Sequence, residues 1–356
     1  MSRNLFTLSL TATLMAGTAM ADVPRVTVDI APVHSLVARV MQGAGEPDLI
    51  VPPGASPHEY NLRPSEARAL QEADIVFWVG EDLTPWMSDA VTTLADGADV
   101  TALLEADGVT LLEFRENALF EAHAHEEGEH GHEEHAEGED HEHEHEEHAE
   151  GEDHDHEHEE HAEGEDHDHG HEEHAEEGGH DHDHAHGAHD PHAWLSPDNA
   201  SVWLDVIASE LSSADPDNAG TYFGNAAAAK EELATLSAEV NATLDPVRGG
   251  AFVVFHDAYQ YFETAFDISA SGAISLSDAA DPSPSRIAEI QGRVADEGIQ
   301  CVLSEPQYDP GIVATVMDGT EANTAVLDPL GSDLEPGPDL YPQMLRNLAS
   351  ALAACL

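Results

Sequence analysis

Apolar and polar residues follow a repeating strand and helix pattern over the first third of the chain. Short β-branched runs bounded by turn residues predict strands at residues 25–30, 48–51, 74–79 and 109–114. Apolar positions at helical spacing predict helices between them, at residues 34–41, 64–73 and 85–94. This alternation predicts parallel pairing of the strands, because each strand is followed by a crossover helix.

The same alternation returns beyond residue 249. The predicted strands are residues 251–255, 300–304 and 324–327, and the predicted helices are residues 285–297, 309–317 and 341–354. Two further helices are predicted between the halves, at residues 197–213 and 216–244, the second being long and rich in Ala, Glu and Leu. We therefore expect an α/β fold of two (β/α) lobes with mostly parallel sheets, joined by one long linking helix.

The N-terminus has the pattern of a secretory signal peptide. Arg3 supplies the positive charge, residues 5–15 are mostly apolar, and Ala19 and Ala21 form an A-x-A cleavage motif. The apolar run is too short to span a bilayer. We expect cleavage after Ala21 and an exported mature protein. Its expected parts are an N-terminal lobe at residues 22–196, connecting helices at residues 197–247 and a C-terminal lobe at residues 248–356.

A strongly biased insertion occupies residues 121–190 of the N-terminal lobe. It holds 22 of the 26 histidines and 31 acidic residues, and no Lys, Arg or aromatic residue. The ten-residue sequence HEEHAEGEDH begins at His132, His145 and His158. Because the insertion has almost nothing apolar to bury, we expect it to be disordered.

Charge restricts the classes of partner. The chain of 356 residues has a formal net charge of −62. Nucleic acids and anionic membrane surfaces require clustered Lys and Arg, so both are excluded as partners, and cations are favoured.

The two cysteines, Cys301 and Cys355, are expected to form one disulfide. An oxidising compartment favours this pairing. The alternative, a pair of thiolate metal ligands, lacks a CxxC motif.

Only four histidines lie outside the insertion, and three of them fall at predicted cleft edges. His256 ends a strand, His58 lies in a Pro- and Gly-rich loop after a strand, and His192 precedes a helix. In parallel α/β sheets ligands bind beyond the carboxyl ends of the strands. Imidazoles suit zinc, copper, iron or nickel, so these three side chains are candidate metal ligands, although a lone loop histidine is more often solvated or capping.

Four ordered motifs resemble the periplasmic zinc-binding proteins of ABC importers, the ZnuA type. They are GASPHEY with LRPS, DPHAWLSP, FHDAYQYF and LDPLG, at residues 54–60 with 62–65, 190–197, 255–262 and 327–331. The acidic His-rich insertion and the two late cysteines also fit that family. The resemblance covers essentially the whole mature chain. It implies that the family's three ligand histidines fall on His58, His192 and His256, that Zn²⁺ is held between the lobes, and that the protein is not an enzyme.

The resemblance does not identify the fourth ligand of the metal. Some members of the family carry Glu immediately before the first ligand histidine, where this chain has Pro57, with Glu59 following instead. Water, Asp328 and Glu59 are the candidates. In manganese-binding relatives the position of His256 is Glu, so histidine here favours zinc over a harder metal.

Four further residues are candidates for supporting the ligands. Trp194 and Tyr60 flank the ligand motifs and are expected to pack around them, as is Tyr261. His34 is either such a supporting group or, on base rates, a helix cap or an exposed residue.

The histidines of the insertion alternate with carboxylates and predict many weak metal sites. Those in the alternating runs are His141, His143, His145, His154, His156, His158, His167, His169, His182 and His184.

The resemblance implies the solute-binding component of a high-affinity zinc importer, a monomer that delivers Zn²⁺ to an inner-membrane ABC permease with its cytoplasmic ATPase. A periplasmic zinc chaperone is a further candidate partner. The alternatives are a zinc storage or buffering protein working through the insertion, a manganese or iron carrier, and a zinc hydrolase.

Overall fold

The described part of the chain contains two parallel four-stranded sheets, each covered by helices. The computed structural model describes residues 23–115, 189–275 and 282–356. The predicted signal peptide and its cleavage site lie outside the described residues, as does the insertion up to residue 188.

The first sheet has the order β2-β1-β3-β4, with every pair parallel. Its strands are β1 (Val26–Val28), β2 (Asp48–Leu49), β3 (Ile75–Trp78) and β4 (Asp99–Ala102). The crossover helices are α1 (Ala31–Val40), α2 (Pro64–Glu72) and α3 (Pro85–Leu94). Each helix has proline in its first turn, where the missing N–H costs no hydrogen bond.

One predicted strand of this sheet is wrong. Residues 109–114 form only an isolated bridge, in which Glu113 pairs antiparallel with His189, and the fourth strand is β4 instead. β4 is an edge strand with two exposed residues, so its sequence lacks the apolar run that marks a buried strand.

Two helices connect the sheets, as the sequence predicts. α4 (Pro197–Ala214) begins with Ser196, whose side chain accepts a hydrogen bond from the backbone N–H of Asn199. α5 (Ala219–Leu244) has 26 residues and packs against α1, α4 and α9. At a rise of 1.5 Å per residue it is about 39 Å long, enough to cross a small domain.

The second sheet has the order β6-β5-β7-β8, again with every pair parallel. Its strands are β5 (Phe252–His256), β6 (Gly272–Ser275), β7 (Cys301–Ser304) and β8 (Asn323–Val326). Its helices are α6 (Gln260–Phe266), α7 (Pro284–Asp296), α8 (Pro310–Met317) and α9 (Leu340–Cys355). The sequence reading missed β6 and α6, which are only four and seven residues long.

The largest hydrophobic core runs without a break from one sheet to the other. In β5, Phe252 and Val254 face this shared core, whereas Val253 and Phe255 face a smaller core under α7 and α8. This period of two is the normal alternation of a strand that is buried on both faces. Because the lobes share a core, a wide opening between them would expose apolar surface.

The predicted disulfide between Cys301 and Cys355 is confirmed. It joins the first residue of β7 to the last residue of α9, with the two Cα atoms 5.7 Å apart. The bond therefore ties the C-terminal helix to a central strand of the second sheet. None of the helices in the described part of the chain has the length and apolarity needed to cross a membrane.

We expect the double variant Cys301→Ser/Cys355→Ser to fold but to melt at a lower temperature. The bond closes an interval of 54 residues, for which the chain-entropy relation gives about 4 kcal/mol of stabilisation. Thermal unfolding monitored by circular dichroism, with and without a reducing agent, measures the effect. Equal melting temperatures for the oxidised protein and the double variant would contradict the expectation.

Candidate metal site

Three histidines from different parts of the chain meet at the carboxyl ends of the sheets. A ligand nitrogen of His58, one of His192 and one of His256 all lie within 4.8 Å of one another. Nitrogens bound to one tetrahedral zinc are roughly 3.3 Å apart, from a Zn–N bond of about 2.0–2.1 Å. The three side chains thus need only a small movement to bind a common ion.

His256 is held by a buried carboxylate. It is the last residue of β5, and its Nδ1 donates a hydrogen bond to Oε1 of Glu305 over 2.7 Å. The backbone N–H of His256 donates to the same oxygen over 3.2 Å. Glu305 directly follows β7, the neighbour of β5, so parallel pairing brings the two side chains together.

His192 is held in the same way. Its Nδ1 and its backbone N–H both donate to Oδ1 of Asp190, over 2.7 and 2.9 Å. Asp190 is buried with the histidine, and its backbone carbonyl accepts a hydrogen bond from the hydroxyl of Tyr261 over 2.9 Å. Two histidines therefore each have one carboxylate that fixes the ring orientation.

These bonds decide which ring nitrogen faces the site. The carboxylate accepts a hydrogen bond from the N–H of Nδ1. The other ring nitrogen, Nε2, therefore carries the lone pair that a metal requires. Nε2 of His192 is buried and has no hydrogen-bond partner among the described residues. A buried polar atom without a partner is costly unless a ligand binds it, so this atom fits a metal ion.

His58 comes from the loop that joins β2 to α2. This loop contains three prolines and Gly54, whose φ is +83°, a value that favours glycine. The indole N–H of Trp86 in α3 donates to the carbonyl of Pro57 over 2.7 Å. The side chain of His58 is half-buried, whereas His192 and His256 are only 1% and 4% exposed.

The two carboxylates that are candidates for the fourth ligand are not part of the group of three histidines. Asp328 accepts hydrogen bonds from the backbone N–H groups of Leu330, Gly331 and Ser332, so its carboxylate organises its own loop. Glu59 is exposed. Neither belongs to the group of metal-competent side chains found among the described residues.

His34 is neither exposed nor a helix cap. It lies inside α1, is 8% exposed, and its Nε2 is 3.0 Å from the carbonyl oxygen of Pro47. Burial lowers the pKa of this imidazole below its ordinary value. The expectation that His34 caps a helix or is exposed is therefore wrong. The packing of α1 buries this residue, and the local sequence does not show that packing.

The aromatic residues named from the sequence surround the ligands at different distances. The ring of Trp194 lies 5.2 Å from that of His192, and its indole N–H donates to the carbonyl of Pro329 over 2.8 Å. Tyr60 packs against Trp86, 5.7 Å between ring centroids, and its hydroxyl donates to Glu66. Tyr60 therefore supports the loop of His58 and not a ligand ring.

Sequence reasoning missed three charged residues of this region. Asp190 and Glu305 hold the ligand histidines, and Arg115 pairs with Asp257, the residue after His256. Asp190 is the last residue of the insertion, and the His-rich acidic composition there does not distinguish it from its neighbours. Its place two residues before His192 was the available signal, whereas Glu305 becomes a neighbour of His256 only through strand pairing.

Arg115 makes ion pairs with two acidic residues of the second lobe. Its guanidinium donates to both carboxylate oxygens of Asp257 and of Glu263 in α6. Burial opposes the charge of Arg115, but these ion pairs outweigh burial and raise its pKa above the ordinary value. The network attaches the segment before the insertion to the strand end that carries His256.

The histidines of the alternating runs, predicted as weak metal sites, lie outside the described residues. Residues 189 and 190 are described, and the backbone N–H of Asp190 donates to the carbonyl of Leu112 over 2.8 Å. The described segments on either side of residues 116–188 therefore lie side by side, directly before His192.

Comparison with known proteins gives consistent matches over nearly the whole chain. The family described as "Zinc-uptake complex component A periplasmic" matches residues 26–355. High-affinity zinc uptake system protein ZnuA of Brucella abortus is 45% identical over 358 residues, 99% of each chain. Its counterpart in Paracoccus denitrificans is 44% identical over 95% of this chain and 93% of its own. A crystal structure of ZnuA has the same fold, with a TM-score of 0.67 at 20% identity, covering 94% of this chain and 99% of the other.

We expect Asp190→Asn and Glu305→Gln each to weaken zinc binding by about 10- to 100-fold, the usual effect of losing a carboxylate behind a metal-bound histidine. The amide keeps the shape of the side chain but removes its charge. Competition with a chromophoric zinc chelator measures the affinity.

Asp215→Asn is the matched control for these two variants. Asp215 is also a buried carboxylate, but it accepts hydrogen bonds from Asn218 and Tyr222, away from the three histidines. It should lose stability and keep its zinc affinity. An equal loss of affinity in all three variants would show a general effect on the fold.

Proposed function

Because the chain belongs to the family of periplasmic component A of zinc-uptake complexes, we propose that it captures Zn²⁺ between its lobes and delivers it to an ABC permease. The observation that carries this proposal is the convergence of His58, His192 and His256 at the carboxyl ends of two parallel sheets. Zn²⁺ is here the cargo, which the site must bind and later release.

The chemistry of the three donors supports zinc over a harder metal. Three neutral imidazoles suit a borderline ion, whereas manganese and magnesium prefer oxygen ligands. The nearest acidic side chains, Asp190 and Glu305, use one oxygen each to hold a histidine. The site therefore offers nitrogen ligands, and we assign the metal role to the Nε2 atoms of His192 and His256.

We propose water as the fourth ligand of the ion. Asp328 is used by the amides of its own loop and Glu59 is exposed. A bound water would complete the tetrahedral coordination that zinc prefers. It would also be lost easily when the ion is released.

We propose the domain limits expected from the sequence, with residues 22–196 and 248–356 as lobes and residues 197–247 as the connection. The core shared by the two lobes supports small movements of loops and helices over a wide closure. The long helix α5 also restricts movement between the lobes, because it packs on α1 of the first lobe and on α9 of the second.

A binding role fits the site better than catalysis. A zinc hydrolase needs a general base beside the bound water. Asp190, Glu305 and Asp328 already accept hydrogen bonds from histidines or loop amides. Hydrolysis of esters, amides or phosphates by the zinc-loaded protein would overturn this assignment.

We propose an exported, monomeric protein, cleaved after Ala21, whose partners are an inner-membrane permease and its cytoplasmic ATPase. The family description supports the periplasmic location, and the relatives are named for high-affinity zinc uptake. A periplasmic zinc chaperone would be an additional donor. The His-rich insertion would collect or buffer zinc at lower affinity.

The triple variant His58→Ala/His192→Ala/His256→Ala should lose tight zinc binding. Titration of the full chain against a competing chelator separates one tight site from the weaker sites of the insertion. His34→Gln is the matched control, because it replaces a buried histidine outside the group. Survival of a tight site in the triple variant would refute the proposed site.

A pair of deletions distinguishes an importer component from a storage protein. Removal of residues 121–187 with a short Gly-Ser linker keeps the pairing of Glu113 with His189 and keeps Asp190. We expect this variant to retain the tight site, because the flanking residues Leu112 and Asp190 are hydrogen-bonded to each other and a short linker can close the gap. Loss of the tight site would favour storage by the insertion.

Removal of residues 121–190 is the companion variant. It also deletes Asp190, the carboxylate that holds His192. Its zinc affinity should therefore fall below that of the shorter deletion, by about 10- to 100-fold. Equal affinities would show that Asp190 does not orient His192.

A further inference from the structure

Two of the three histidines are fastened to the same lobe. His256 ends β5, and the segment carrying His192 is bonded to the second lobe on both sides of that residue. Before it, the carbonyl of Asp190 accepts from Tyr261. After it, the indole N–H of Trp194 donates to Pro329, and the carbonyl of Trp194 accepts from Tyr341 over 2.7 Å.

The segment of residues 112–115, which lies beside Asp190, is attached to the same lobe. The hydroxyl of Tyr261 accepts a hydrogen bond from the backbone N–H of Leu112 over 2.9 Å, and Gln260 donates to the carbonyl of Glu113 over 3.0 Å. Arg115 adds its ion pairs with Asp257 and Glu263. His192 and His256 are therefore held as a pair by α6, α9 and the end of β5.

His58 is placed differently. It belongs to the first lobe and lies on a surface loop in which most residues from 52 to 60 are half-buried or exposed. Its ring centroid is 5.4 Å from that of His192 and 6.2 Å from that of His256. The loop is tied to α3 by the bond from Trp86 to Pro57 and by the packing of Trp86 on Tyr60.

We propose that Trp86 is a positioning residue that controls how long zinc stays bound. In this proposal, which rests on the zinc-carrier function above, the ion enters and leaves when the loop of His58 moves away from a fixed His192–His256 pair. The indole N–H of Trp86 holds the Pro57 carbonyl and so keeps His58 in place. Breaking that one hydrogen bond lets the loop move without disturbing the other two ligands.

Trp86→Phe tests the proposal, because phenylalanine keeps an aromatic ring beside Tyr60 and removes only the N–H donor. Full-length protein carrying one equivalent of zinc is mixed with excess chromophoric chelator in a stopped-flow instrument. The dissociation rate should rise about fivefold, the factor that corresponds to a typical net contribution of one hydrogen bond. The melting temperature is measured on the same samples.

Trp203→Phe is the matched control. Trp203 in α4 also donates its indole N–H to a backbone carbonyl, that of Leu103 over 2.8 Å, but it is buried in the core away from the ligands. This variant should lose stability and release zinc at the wild-type rate. An unchanged rate in Trp86→Phe, or an equal increase in Trp203→Phe, overturns the proposal.

Two further variants cover other outcomes. Trp194→Phe removes the hydrogen bond to Pro329 beside His192, and it should accelerate the release of zinc less than Trp86→Phe does. A larger effect in Trp194→Phe would show that His192, and not His58, is the ligand that moves, and would overturn the proposal. Tyr60→Leu removes the ring that packs on Trp86, and it should also accelerate the release of zinc. It serves as the test if Trp86→Phe does not fold.

Failure of this inference can be told from failure of the proposed function. If the triple histidine variant loses tight binding while Trp86→Phe releases zinc at the wild-type rate, the carrier function stands and the role of Trp86 is rejected. If the triple variant keeps tight binding, the site itself is wrong.

Discussion

The structure of the metal site depends on two buried bonds between a carboxylate and an imidazole, Asp190 with His192 and Glu305 with His256. A buried carboxylate is costly without donors, and each of these receives both the ring N–H and the backbone N–H of one histidine. The same bonds fix the ring orientation and leave Nε2 facing the third histidine. Stability and ligand geometry thus have a common physical origin.

The fold supplies the frame for these bonds. Parallel strands end at the same edge of a sheet, so His256 at the end of β5 and Glu305 after β7 become neighbours by strand order alone. The shared core joins the two sheets, and the bond between Cys301 and Cys355 fastens the start of β7 to the end of α9. Movement is then left to the surface loops, since interiors packed to high density do not deform continuously.

A carrier differs from a structural zinc site in that it must let its metal go. Closed structural sites hold all of their ligands on tightly fixed elements. Here His192 and His256 are nearly inaccessible, whereas His58 is half-buried on a loop. The unequal fixation of these three candidate ligands is suited to binding followed by release. The strong negative charge of the chain favours encounter with a cation.

The sequence by itself determined the two-lobed α/β class, the long α5, the disulfide and the three histidines that converge, because strand and helix periodicity, cysteine count and scarce histidines are local signals. Only the tertiary structure decided that β4 replaces residues 109–114, that His34 is buried in α1, and that Asp190, Glu305 and Arg115 support the ligand segments. Those contacts join residues as far apart as Arg115 and Glu263. They arise from strand order and helix packing, which no local pattern of residues records.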